Sequence, residues 1–231
     1  MSSSHGAPRN LNDGDALSSE RVASWFFRLN GCLTIDNFIL HPDFINPLGG
    51  QRTDADILGV RFPHRSEDQT RPMPDHPKLR CDRLLLFIAE VKLDECRLNG
   101  PWTNRRRGNM QRVLSAVGVY SLPMVNIVAE ALYSSYRFRD SHSEVRLYAA
   151  GDRAETMATE RPGVATLTWS EMFAFIHERF SVYRHVKAQH EQWDETGREL
   201  FRLTGDVPDR DRFVEVARAR LEDGHGHRLV S

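Results

Sequence analysis

The stretch RLLLFIAEVKL, residues 83–93, is the strongest strand signal in the sequence. Its continuous apolar run is typical of a central strand that is covered on both faces. Toward its end the run carries two charged residues, Glu90 and Lys92. Side chains two residues apart share a face of a strand, about 6.6 Å from each other, so the two charges project together. Ionised groups in apolar surroundings are costly unless they are paired or bound to a metal.

A pair of acids lies in TDADILGVRF, residues 53–62, which is also predicted to be a strand. If the two strands are neighbours, Asp56 and Glu90 point at one spot, with Lys92 beside them. Two carboxylates and strand carbonyls make a hard oxygen site of the kind that suits Mg²⁺. The Lys92 ammonium would stabilise developing negative charge, or orient and deprotonate an attacking water. The chain holds only three lysines against 28 arginines, which draws attention to a lysine inside its most apolar strand.

The rest of the sequence predicts helices and strands in an irregular order. Apolar residues at helical spacing over 19–29, followed by Gly31, indicate a first helix. The Pro-rich, charged segment 64–78 is interpreted as a solvated connection. The whole order predicts an α/β (α+β) fold with a mixed sheet rather than a regular βαβ array. The other predicted elements are strand 33–40, helices 104–119 and 124–134, strands 136–139, 145–149 and 164–167, helix 171–186, and polar helices 185–203 and 209–222.

The composition excludes several classes of protein. The chain has 231 residues, of which 40% are hydrophobic and 27% charged, as in ordinary globular domains. Its net charge of -1 gives no global attraction to nucleic acid or anionic membranes, so such a partner would need a local patch. The longest uncharged stretch, 113–129, is too short and too polar for a membrane span. Three widely spaced cysteines argue against a disulfide framework or a zinc site. We therefore expect a cytoplasmic protein without membrane contact.

The pattern D…E-V-K on two predicted strands, preceded by a helix that carries Glu20, resembles the PD-(D/E)XK nuclease superfamily. It is most similar to the restriction-endonuclease-like and Holliday-junction-resolvase-like branches, and the resemblance covers about residues 19–120. It implies a restriction-endonuclease-like αβββαβ core with a C-terminal helical extension. Asp54 takes the place of a Glu that stands two positions before the family's Asp. Two departures are that no Pro precedes Asp56 and that the connection between the two strands is longer than in compact members.

The resemblance also implies roles for individual residues. Asp56 and Glu90 correspond to the metal-binding carboxylates, and Val91 to the residue whose backbone carbonyl joins the metal shell. Lys92 corresponds to the catalytic lysine, and Glu20 to a helical acidic residue of the site. These roles imply a metal-dependent endonuclease that hydrolyses DNA phosphodiester bonds with Mg²⁺, or with Mn²⁺ in its place.

A basic segment follows the E-x-K motif. Residues 97–112 hold five arginines and no acidic residue, and the run 104–109 is predicted to begin a helix. Free N–H groups and the helix dipole favour anions there, so the segment is a candidate phosphate contact, with a solvated charged loop as the alternative. Trp102 beside it would either stack on a base or pack in the core. The candidate nucleic-acid contacts are Arg105, Arg106, Arg107, Gln111 and Arg112.

The predicted organisation is a disordered tail over 1–18, a nuclease-like domain over 19–183 and a helical extension over 184–231. Apolar residues of the extension would cover the core or bind a partner protein or a second copy in a homodimer. Two hypotheses compete with an active nuclease. In one, the chain is an inactive nuclease-fold module that binds nucleic acid or a protein. In the other, Glu90 and Lys92 form a structural ion pair.

Overall fold

The computed structural model describes residues 17–41, 53–189 and 194–228, with side chains described as far as residue 224. The predicted tail therefore lies outside the described residues except for its last two positions. The described chain is a mixed α/β structure, as predicted, and none of its helices is long and apolar enough to cross a membrane. Its strands are β1 (Cys32–Leu40), β2 (Thr53–Arg61), β3 (Leu84–Val91), β4 (Arg137–Arg139), β5 (Ser143–Gly151) and β6 (Ala165–Thr168). Its helices are α1 (Ser19–Leu29), α2 (Gly100–Thr103), α3 (Asn109–Val117), α4 (Leu122–Ser135), α5 (Glu155–Glu160), α6 (Trp169–Val182), α7 (Arg184–Lys187), α8 (Glu195–Asp206) and α9 (Arg210–Arg228).

The six strands form one mixed sheet in the order β1-β2-β3-β5-β4, with β6 paired to the later half of β5. The pairs β1–β2, β2–β3 and β4–β5 are antiparallel, whereas β3–β5 and β5–β6 are parallel. The apolar run 84–91 is thus the middle strand, which confirms the prediction made from its composition. Parallel neighbours need a long crossover, and the helices α2, α3 and α4 supply it between β3 and β5.

Helices pack on both faces of the sheet. Successive side chains of β3 point to opposite faces and so contact different helices. Phe87 and Ala89 face the layer formed by α1, α6, α8 and α9. Leu86 and Ile88 face the layer formed by α2, α3 and α4. Phe27 of α1 stacks on Phe87 with ring centroids 4.4 Å apart. The strand therefore has no solvent-facing side, so any charged group on it sits in a dry environment.

Helices α8 and α9 belong to the same core as α1 and α6. Their apolar side chains pack into the layer of α1 and α6. The two interpretations of this region were that it covers the core or that it binds a partner, and the structure favours the first. The indole N–H of Trp25 donates to Asp194 at 2.7 Å, and Asp194 also caps α8. Trp193, another apolar residue of the predicted extension, lies outside the described residues. The buried apolar residues of this C-terminal region are Leu200, Leu203, Val207, Phe213, Val216, Ala217 and Leu221.

The interpretation of residues 64–78 as a solvated connection is wrong near the C-terminal end of the segment, although residues 69–72 are exposed. Asp75 is buried and accepts hydrogen bonds from three arginines, Arg61, Arg65 and Arg179. Arg179 projects from α6 and has no exposed side-chain surface, so it needs a carboxylate partner inside the protein. Buried guanidinium groups therefore bind Asp75 and hold this part of the charged connection against the core.

Candidate functional site

The candidate site lies where the β2–β3 ladder ends. Regular pairing runs from Arg61↔Leu85 to Ile57↔Ala89. At the next position the side chain of Asp56 replaces a strand carbonyl, because its Oδ2 accepts the backbone N–H of Val91 at 2.6 Å. On the other side of β2, strand β1 has Asn37 in the left-handed region with φ 53°, a conformation that Asn tolerates better than most residues. Irregular backbone at this end of the sheet thus turns a carboxylate toward the end of β3.

The structure brings together the three side chains singled out from the sequence. The Lys92 Nζ lies 3.3 Å from Glu90 Oε2 and 3.5 Å from Asp56 Oδ2. It also donates to the carbonyl oxygen of Val91 at 3.1 Å. The exposed fraction of the side chain is 0% for Glu90, 11% for Asp56 and 19% for Lys92. Two carboxylates, one ammonium and one carbonyl therefore share a nearly buried pocket at the end of the central strand.

Trp102 is a site residue that sequence reasoning did not place here. Its indole N–H donates to Glu90 Oε1 at 2.5 Å, and neither residue is exposed. Of the two interpretations of Trp102, stacking on a base or packing in the core, the structure supports the second, since its ring is buried in the core layer of α3 and α4. The bond holds one oxygen of Glu90 and leaves Oε2 directed at Lys92. No spacing rule links positions 90 and 102, and the short helix α2 that presents Trp102 is not among the elements predicted from the sequence.

The surroundings of Glu90 disfavour its charged form. Burial, and then the nearby carboxylate of Asp56, raise the pKa of Glu90 to about 7. The Lys92 ammonium and the hydrogen bond from Trp102 act in the opposite direction without cancelling the rise. The pocket is therefore short of positive charge when both carboxylates are ionised. A divalent cation would relieve that shortage.

The oxygen atoms of the pocket fit a hard divalent cation. Asp56, Glu90 and the Val91 carbonyl supply oxygen donors only, and Mg²⁺ typically takes one or two carboxylates and keeps several waters. Among the described residues no group of three or more Asp, Glu, His or Cys side chains is arranged to hold a metal. The protein ligands available here are thus two carboxylates and a carbonyl, which leaves coordination positions for water or phosphate oxygen.

Glu20 and Asp54 do not join these two carboxylates in a three-ligand group. Glu20 lies in the first turn of α1. One turn later, Ser24 donates to Asp36 of β1 at 2.8 Å, so this part of α1 packs against the edge strand. Asp54 lies opposite Ile39 of β1, three residues before Ile57, where the pairing of β2 with β3 begins.

The basic segment is not the start of a helix, which corrects the prediction for 104–109. Arg105–Arg107 form an exposed 3₁₀ turn, and α3 begins only at Asn109. Gly108 separates the two with a φ of 66°, and Asn104 caps the turn by accepting the N–H of Arg106. The dipole of α3 therefore does not act directly on the three arginines. Their side chains are exposed, and Arg105 pairs with Glu130 of α4 at 2.8 Å.

Gln111 and Arg112 lie in α3 and line a cleft of about 650 Å³ between this helix and the end of β1. The hydroxyl of Tyr133 donates to the Gln111 side-chain oxygen at 3.5 Å. Arg112 donates to the carbonyl of Arg107 at 2.7 Å, which ties the 3₁₀ turn to the helix. The predicted nucleic-acid contacts thus lie partly in the exposed turn, Arg105–Arg107, and partly in the lining of the cleft, Gln111 and Arg112.

A scan of family models, a search of curated proteins and a search of solved structures each found no match for this chain.

Proposed function

We propose that the protein is a Mg²⁺-dependent nuclease that hydrolyses phosphodiester bonds in DNA. The observation that carries the proposal is the meeting of Asp56, Glu90 and Lys92 at the end of the central strand, within 3.5 Å of the ammonium nitrogen. The element order α1-β1-β2-β3, then helices and β5, is also the order expected of a restriction-endonuclease-like core. Both features agree with the resemblance to the PD-(D/E)XK superfamily.

In this proposal Asp56, Glu90 and the Val91 carbonyl hold the metal ion. When bound, the ion acts as a Lewis acid and lowers the pKa of a bound water toward neutrality. Trp102 fixes the orientation of Glu90, as outer residues commonly do for metal ligands. The Asp56 carboxylate stays in place because it also accepts the Val91 N–H.

Lys92 is the residue proposed to act on the reacting phosphate. Its ammonium is held at the pocket by two carboxylates and a carbonyl, and 19% of its side chain remains exposed. A fixed positive charge in a nearly dry site stabilises negative charge that develops on phosphate oxygens. The exposed arginines 105–107 would hold the DNA backbone, and contacts of that type carry no sequence information.

The test is cleavage of supercoiled and linear DNA with Mg²⁺, compared for wild type, Asp56→Asn and Lys92→Ala. Loss of a group that stabilises the transition state typically lowers the rate by about 10²–10³, and EDTA should abolish cleavage. Matched controls are Asp152→Asn and Lys78→Ala, which remove an acid paired with Arg218 and a lysine paired with Glu171. Both controls should cleave like wild type. Equal cleavage by wild type and the two site variants would contradict the proposal.

One observation favours a second candidate, an inactive module that binds nucleic acid through the basic surface. Lys92 already lies against both carboxylates, as it would in a purely structural ion pair. Calorimetric titration with Mg²⁺ and Mn²⁺ separates the two candidates. Binding that depends on Asp56 supports the nuclease, whereas salt-sensitive DNA binding without any metal binding supports the module.

A further inference from the structure

We propose that the cleft between β1 and α3 binds an unstacked base of a single-stranded nucleic-acid segment that adjoins the scissile phosphate. This inference rests on the proposed nuclease function and specifies its substrate class. The cleft has a volume of about 650 Å³, within the range of pockets that take small organic groups. One wall comes from the end of β1 and the other from α3.

Each wall of the cleft contacts a residue that is next to a residue of the candidate site. On the β1 side, Phe38 is paired with Ala55, the residue immediately before Asp56. On the α3 side, the Asn109 side chain donates to the carbonyl of Pro101, next to Trp102, at 3.1 Å. A strand held at the carboxylates would therefore have its neighbouring nucleotide within reach of the cleft.

The lining of the cleft matches a nucleobase and the backbone that carries it. Phe38, Ile39 and Leu40 give an apolar wall, and Ile39 is 45% exposed. Gln111 contributes an amide, which can hydrogen-bond a base edge, and Arg112 contributes a positive charge. None of the described residues that line the cleft is acidic, and the acid-free segment 97–112 leads directly into it.

These features favour a single strand over a duplex as the occupant. An intact duplex keeps its bases stacked inside and presents phosphates on its surface. The phosphates would contact the arginines, but no base would enter the apolar cleft. Proteins that bind single strands combine a basic groove for the backbone with aromatic side chains on which exposed bases stack, and Phe38 supplies an aromatic ring in the lining of this cleft. The preferred substrate is accordingly DNA with a single-stranded overhang, flap or bubble.

The test measures binding separately from cleavage, with the full chain in EDTA. Fluorescence anisotropy compares a labelled oligothymidylate with a blunt duplex for wild type and for Ala116→Trp, which fills the cleft from an exposed position on α3. Ile127→Trp, at an exposed position on α4, is the matched control. We expect tighter binding of the single strand, weakened about 10-fold or more by Ala116→Trp through loss of a stacked base, and unchanged by Ile127→Trp. Thermal melting verifies that both variants fold.

Two results would overturn the inference. One is equal binding of single strand and duplex, or no binding of either, and the other is single-strand binding that Ala116→Trp leaves unchanged. Arg112→Met gives a second readout, because it should reduce the salt dependence of binding by about one phosphate contact. If cleavage depends on Asp56 while cleft binding fails, only the cleft inference falls. If cleft binding holds while no variant or chelator alters cleavage, only the nuclease proposal falls.

Discussion

Replacement of Trp102 by Phe removes the indole N–H, which donates a hydrogen bond to the Glu90 carboxylate at 2.5 Å. Both partners are fully buried, so water cannot replace the lost donor. Hydrogen bonds to charged groups contribute about 1.5–3 kcal/mol to stability, and the smaller ring loses some packing in addition. We expect the free energy of unfolding of Trp102→Phe to fall by about 2–4 kcal/mol at a pH where Glu90 is ionised.

The same change should weaken metal binding. The bond from Trp102 lowers the pKa of Glu90, so its loss raises that pKa further and makes the carboxylate less available to a cation near neutral pH. Removal of an outer residue that orients a metal ligand typically costs about 10- to 100-fold in affinity. Calorimetric titration of Trp102→Phe with Mn²⁺ should show a loss of this size relative to wild type.

Trp25→Phe provides a matched control, because Trp25 also donates its indole N–H to a carboxylate, that of Asp194, at 2.7 Å. That bond joins α1 to α8 and involves none of the candidate ligands. Trp25→Phe should therefore lose stability without losing metal affinity. Mn²⁺ binding as tight as that of wild type in both variants, or an equal loss of affinity in both, would contradict the role assigned to Trp102.

Three further predictions test the electrostatics, packing and helix capping of the fold. The pKa of Glu90 rises from 4.5 to about 7 on folding. Between these two pH values the folded state holds a proton that the unfolded state has released. The free energy of unfolding should therefore fall by about 3 kcal/mol as pH rises from below 4.5 to above 7. Urea unfolding at about pH 5 and about pH 8 should show this fall in wild type and not in Glu90→Gln; a flat wild-type profile contradicts the assignment. Gly59→Ala would place a Cβ 2.2 Å from the Phe87 ring and should destabilise by about 1–3 kcal/mol or more, whereas Gly100→Ala, with open space around it, should be neutral by thermal melting. Thr168→Ala removes the capping box of α6 and should cost about 1 kcal/mol, which Thr168→Ser should restore if the cap is the cause.

The central sheet was predictable because its signals are local. The apolar run of β3 identified a strand covered on both faces, and it lies between β2 and β5 with alternate residues in the two core layers. Gly31, predicted to end α1, has the positive φ of 75° that such an ending requires. In both cases the physical cause lies within a few residues of its effect, and a pattern of neighbouring residues therefore records it.

Other features depend on partners that are distant in sequence. Asp75 is buried because Arg179, 104 positions later, places a guanidinium beside it. The charged residues around Asp75 would favour solvent if that partner were absent, so local composition gave the wrong answer. Trp102 is a similar case, since its position beside the basic segment does not reveal the carboxylate that it contacts.

The convergence of Asp56 and Glu90 follows from a backbone requirement as much as from any requirement of a metal site. Val91 is buried, and its N–H would lack an acceptor because the β2–β3 ladder ends at the Ile57↔Ala89 pair, two residues before Val91 in β3. An unsatisfied buried N–H costs about 1–3 kcal/mol, so a side-chain acceptor at position 56 is favoured whether or not the protein binds an ion. Asn would supply a neutral amide oxygen to the same N–H, whereas Ala would supply none. An activity lost in Asp56→Asn at unchanged stability can therefore be assigned to the charge of Asp56, while a loss in Asp56→Ala alone would report only on the backbone.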